Sequence, residues 1–147
     1  MDGKSIYKYS LTRQKVSELS DGIYMSQPEK VAEFLRAIGL ASQEQEHLVA
    51  LSMNTKNMVV GYCIVTIGLA NQAQGAGREV FRHAIIANAT GLIMAHNHPS
   101  DRCEPSAEDI RLTSLMKDAG KLVDITLLDH IIVSETSYFS FREKNML

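Results

Sequence analysis

Cysteine is scarce: Cys63 and Cys103 are the only two in 147 residues, and neither belongs to a C-x-x-C pair. That excludes a disulfide framework and a four-cysteine zinc ribbon, and the simplest compartment for such a chain is a reducing, cytoplasmic one. Long apolar runs are also missing. The least charged stretch, Met58 to Ala76, is interrupted by Gly61, Gly68, Asn71, Gln72, Gln74 and Gly75, so it falls short of the ~20 residues a bilayer requires. The opening MDGKSIYKYSLTRQK has no apolar centre, which argues against a signal peptide. Positive charge is not in excess either. Lys+Arg 15 against Asp+Glu 17 gives a net charge of -2, without the footprint of a non-specific nucleic-acid binder.

What remains is ordinary globular material, 45% hydrophobic and 22% charged, of a length that suits one domain. Residues 1–25 are polar and aperiodic and read as an N-terminal arm, with the folded domain over 26–147. Ser26 and Glu29 are spaced as a capping box, and Pro28, Val31, Phe34, Leu35 and Ile38 continue as a short amphipathic helix up to Gly39. Residues 46–53 and 58–67 read as a hairpin about a polar turn at 54–57.

A Gly/Gln/Asn-rich loop is expected over 68–77. A second helix follows over 78–89, with Val80, Phe81, Ala84 and Ile85 as its apolar face and His83 on the solvent side. Residues 91–95, GLIMA, have the pattern of a strand buried on both faces, which should end at His96. Pro105-Ser106 opens a third helix whose apolar face is Leu112, Leu115, Met116 and Ala119 and whose stop is Gly120. Strands near 125–133 and 138–141 complete the order β-β-α-β-α-β-β after the first helix, so an α/β fold with a mixed central sheet is expected.

The chemistry concentrates in Ala95 to Asp109, AHNHPSDRCEPSAED. Side chains at i and i+2 of an extended chain point the same way, so His96 and His98 leave the strand end side by side. Asp109 falls in the first turn of the next helix, and two histidines plus a carboxylate make up a three-ligand catalytic zinc site. Two plainer assignments compete. Ser106-x-x-Asp109 is itself a capping box, and an isolated H-x-H commonly holds no metal.

The spacing of His96, His98, Ser106 and Asp109 matches the H-x-H-x(7)-S-x-x-D pattern, and the chain resembles the JAMM (MPN-plus) metalloproteases. It is similar above all to the bacterial RadC family, through QEHLVAL (45–51), REVF (78–81), AHNHPS (95–100), PSAEDI (105–110) and LDHIIV (128–133). The resemblance implies a cytidine-deaminase-like, three-layer α/β/α sandwich of the JAB/MPN type, with Zn2+ held by His96, His98 and Asp109. It also implies Glu46 as general acid/base and Ser106 as a hydrogen-bond donor to the attacking water or the developing oxyanion.

Asp129 and His130 are a second candidate ligand or supporting pair, with a structural role favoured. Cys103, in the loop between the ligands, is a lone thiol. Two positions stand out against the pattern. Asn97 stands where the wider metalloprotease pattern has Ser or Thr, although the RadC branch commonly has Asn, and Asp101 replaces a glycine usual in that branch. The chain is also too short for the helix-hairpin-helix region that full-length RadC proteins carry upstream.

Three functions follow from the resemblance: a zinc-dependent hydrolase of peptide or isopeptide bonds, a DNA-repair accessory protein or metal-dependent nuclease, and a non-catalytic interaction module. The expected partner is a peptide or protein substrate, with nucleic acid implied by the family name and opposed by the charge. A zinc nucleobase deaminase is excluded, because its H-x-E and P-C-x-x-C are both absent.

Overall fold

A computed structural model describes residues 6, 8, 10, 12–16, 22–68 and 73–147; much of the expected N-terminal arm, and residues 69–72 of the expected loop, lie outside the described residues. The elements are α1 (Pro28–Ala37), β1 (His47–Met53), β2 (Val59–Ile67), α2 (Ala73–Ile86), β3 (Gly91–Asn97), α3 (Ala107–Leu122), β4 (Thr126–Val133) and β5 (Tyr138–Ser140). Five strands form one sheet in the order β2-β1-β3-β4-β5. It is mixed: β3 and β4 run parallel, and the other neighbours are antiparallel.

Alternation along β3 builds the three layers. Leu92 and Met94 pack with Val80, Phe81, Leu112 and Met116 of α2 and α3, whereas Ile93 and Ala95 pack with Val31, Ala32 and Leu35 of α1 on the opposite face. Every residue of β3 is buried, as the continuous apolar run requires of a central strand with covered faces. The strand does not stop at His96 as expected. It pairs through His96 and Asn97, opposite Ile132 and Val133 of β4, so the first imidazole is held by a two-sided ladder.

Several expectations are corrected. The Ser26–Glu29 capping box does not form: Gln27 is the N-cap of α1 and makes no side-chain cap bond. Pro28 takes the first helical position, where its fixed φ and missing N–H are best tolerated, and this shifts the start by one residue. Helix α2 begins at Ala73, inside the expected loop, and Gly77 brings it against Met116. Ile85 and Leu115 are 58% and 46% exposed, because only a narrow stripe of each helix meets the sheet. His83 is half-buried rather than solvent-facing.

Nor does Gly120 end α3, which continues to Leu122. Its missing side chain instead lets the carbonyl of Ile125 approach the helix, where a Cβ would collide with that oxygen. Before α1, Ile23 joins the α1-side core and Tyr24 bridges to Met58. Among the described residues no helix is long and apolar enough to cross a membrane.

Candidate metal centre

The C-terminal end of β3 and the first turn of α3 meet above the sheet. His96, on the α3 side of β3, places Nε2 2.9 Å from His98 Nε2 and 3.2 Å from Asp109 Oδ1, while His98 Nε2 lies 3.3 Å from Asp109 Oδ2. These residues form the one group among the described residues whose ligand atoms converge on a metal-sized space, all within 4.8 Å. A tetrahedral ion with bonds of ~2.0–2.2 Å spaces its ligand atoms roughly 3.3 Å apart, and two imidazoles with a carboxylate are a zinc-type donor set. The residues fit the ion.

Helix α3 begins as the sequence indicates. Ser106 is the N-cap, its Oγ accepting from Asp109 N at 3.1 Å, while Ser106 N donates to Asp109 Oδ2 at 2.8 Å. Capping the helix and holding a metal are therefore compatible roles for Asp109; the box aims the carboxylate at the imidazoles. Ser106 Oγ also donates its proton to Asp109 Oδ2 at 2.8 Å. In this arrangement the hydroxyl is committed to the Asp109 carboxylate.

The electrostatics follow from the geometry. Burial pushes the Asp109 carboxyl up, but the His96 and His98 rings at its two oxygens outweigh it and hold the group well below the usual carboxylate range. His98 is raised, first by its hydrogen bond to Asp109, with the charge of Glu46 a smaller contribution. Glu46 is not one of the residues whose ligand atoms converge there. It precedes β1 by one residue rather than lying on the strand, is half-buried, and its carbonyl accepts from Gly68 N at 2.8 Å.

The pair Asp129–His130 is split by strand alternation. Asp129 accepts from Ser140 Oγ at 2.6 Å, Arg142 N at 3.0 Å and its neighbour's N–H at 2.8 Å. His130 is fully buried beneath His96, with Nε2 2.8 Å from His96 Nδ1 and its ring stacked on Phe141 at 4.8 Å. Burial, then the neighbouring His96, hold it well below the usual histidine range. Cys103 is turned away, packed with Ile132 and Phe141 while Ser137 Oγ donates to its sulfur at 3.3 Å.

Sequence reasoning passed over the work of Asn97 and Thr113. Asn97 is wholly buried on the other face of β3, where its amide donates to the carbonyls of Gln43 and Gln45, at 3.1 Å each. Thr113, one turn beyond Asp109, donates to that residue's carbonyl at 2.6 Å and meets His130 Nδ1 at 2.6 Å. Both were open to inference. A buried amide must find partners, and i+4 on a helix faces the same way as i.

An α/β/α sandwich with a His-His-Asp group at the end of its central parallel pair has the make-up of a JAB-type domain, a metal-dependent, hydrolase-like class. The RadC-like JAB domain family matches residues 25–146, and the chain belongs to it. Among its relatives, a UPF0758 protein of Chlorobium luteolum is 46% identical over 108 residues, 74% of this chain and 48% of that protein. The UPF0758 protein of Chlorobium phaeovibrioides is 45% identical over 105 residues, 71% of this chain and 47% of its own length. The chain spans about half the length of these curated relatives.

Proposed function

We propose that this domain is a zinc-dependent hydrolase that cleaves an amide bond, peptide or isopeptide, in a peptide or protein substrate. The observation that carries this is the convergence of His96 Nε2, His98 Nε2 and an Asp109 oxygen in one small group. His96, His98 and Asp109 would hold the zinc, and with two neutral imidazoles and one carboxylate as ligands it would keep a charge of about +1, enough to polarise a carbonyl and to bring the pKa of a bound water toward ~7.

The protein's own groups do the rest. Glu46, in the segment that leads into β1, takes the proton of the attacking water and returns it to the leaving nitrogen, so that an amine departs rather than an amide anion. Ser106 keeps Asp109 oriented through three hydrogen bonds, and with its hydroxyl rotated it is a donor to the oxyanion. Burial of His96 and Asp109 limits competing water and strengthens each polar contact.

Elemental analysis of protein purified without added metal tests the ligand set. About one zinc per chain is expected in the wild type and none in the His96→Ala/His98→Ala variant; equal zinc in both would reject it. Glu46→Gln should keep the zinc and lose hydrolysis of whatever peptide or isopeptide substrate the wild type cleaves.

A further inference from the structure

The outer nitrogens of the two imidazoles are tied down differently, and the directions of those bonds follow from atoms that have a single option. A main-chain carbonyl can only accept. Arg102 O, 2.8 Å from His98 Nδ1, therefore accepts a hydrogen bond from the Nδ1–H, which leaves the Nε2 lone pair of a neutral His98 free.

For His96 the fixed point is two side chains away. Thr113 Oγ1 lies 2.6 Å from the carbonyl of Asp109 and 2.6 Å from His130 Nδ1. Its one proton goes to the carbonyl, so its oxygen accepts from His130 Nδ1–H. His130 then presents a bare Nε2 at 2.8 Å from His96 Nδ1, and His96 donates to it. The Nε2 of His96 is left unprotonated, facing His98 and Asp109.

The geometry points to Thr113 and His130 as a positioning pair that locks His96 in the Nδ1–H form and keeps its Nε2 lone pair aimed at the metal. The purpose of the pair rests on the metal reading above, whereas the tautomer itself does not. The chain of bonds ends on the backbone of Asp109, so the third ligand anchors the ring of the first. Phe141, stacked on His130 with an interplanar angle of 14°, holds the intermediate ring in plane. Partners of this kind on a ligand's outer nitrogen typically change metal affinity by about 10–100-fold.

Long-range 1H–15N spectra of the metal-free full chain at mildly alkaline pH read each tautomer directly, and competition with a chromophoric chelator reads zinc affinity. The wild type should show His96 and His130 both protonated at Nδ1. Thr113→Val and His130→Phe should leave His96 as a tautomer mixture with zinc bound ~10–100-fold more weakly. Thr113→Ser keeps the hydroxyl, and His130→Gln can place an oxygen where Nε2 stands; both should retain the His96 form and near-wild-type affinity, whether or not the harsher variants fold.

Wild-type His96 protonated on Nε2 would overturn the inference, as would a folded Thr113→Val with unchanged tautomer and affinity. Wild-type protein that shows the stated tautomers yet takes up no zinc would uphold the pair and overturn the metal reading instead.

Discussion

Asn97 Oδ1 accepts the main-chain N–H of His47 at 2.8 Å, so the residue between the two imidazoles fastens the segment that carries Glu46. Strand alternation sends His96 to the α3 face and Asn97 to the α1 face. A single dipeptide thereby places a ligand and clamps the neighbourhood of the proposed base.

Asn97→Ala should strand one N–H and two carbonyls. With unsatisfied buried groups worth ~1–3 kcal/mol each and partial relief by water, a loss of roughly 2–4 kcal/mol is expected in urea unfolding. Hydrogen exchange should quicken over residues 43–47. Zinc content should hold while any hydrolysis falls, because the ligands stay and Glu46 loosens. A variant as stable and as well protected as the wild type would refute the clamp.

Ser106→Ala removes the N-cap acceptor and one hydrogen bond to Asp109 Oδ2. The cap is worth about 0.5–2 kcal/mol, so the free energy of unfolding in urea should drop by that amount in metal-free protein. Zinc should still bind, more weakly, since the ligand carboxylate keeps its bond from Ser106 N. Complete loss of zinc with unchanged stability would show that the hydroxyl acts otherwise.

Cys63 supplies a pH dependence. Desolvation by burial outweighs the lowering effects of a backbone hydrogen bond and Arg82 and pushes the thiol up to about 11. Only the thiolate reacts, so at neutral pH the reactive fraction should be roughly 100-fold below that of a free thiol. Iodoacetamide labelling of Cys63, followed by peptide mass analysis, should be slow near neutrality and keep rising beyond pH ~10, past the point where a free thiol has levelled off. The sign follows from burial favouring the neutral thiol; a plateau by pH ~9 would contradict it.

Gly120→Ala should destabilise by about 1–3 kcal/mol, because the added methyl meets the carbonyl of Ile125 and neither helix nor strand start can yield freely. Gly61→Ala is the control: nothing lies within 4 Å of a Cβ there, so its thermal midpoint should stay level or rise slightly. Equal effects at the two positions would remove steric approach as the reason for Gly120.

Much of this protein was legible from one dimension because the signals are local. The run GLIMA announces a strand covered on both faces, the spacing of Ser106 and Asp109 caps a helix, and H-x-H at the strand's end sets two imidazoles on one side. Those features depend on pleat, pitch and hydrogen-bond inventory within a few residues, which sequence alone determines. Errors had one local and one distant source. Pro28, two residues on, displaced the cap expected at Ser26, and the narrow stripe of α2 and α3 that meets the sheet left Ile85 and Leu115 facing outward. What only tertiary structure decided is the network around the site: β3 lies beside β4, so His130 comes to rest under His96, and β1 lies on the other side, so Asn97 reaches the backbone before Glu46. Sheet neighbours far apart in the chain are chosen by how the whole sheet buries its two faces, and no local period records that choice.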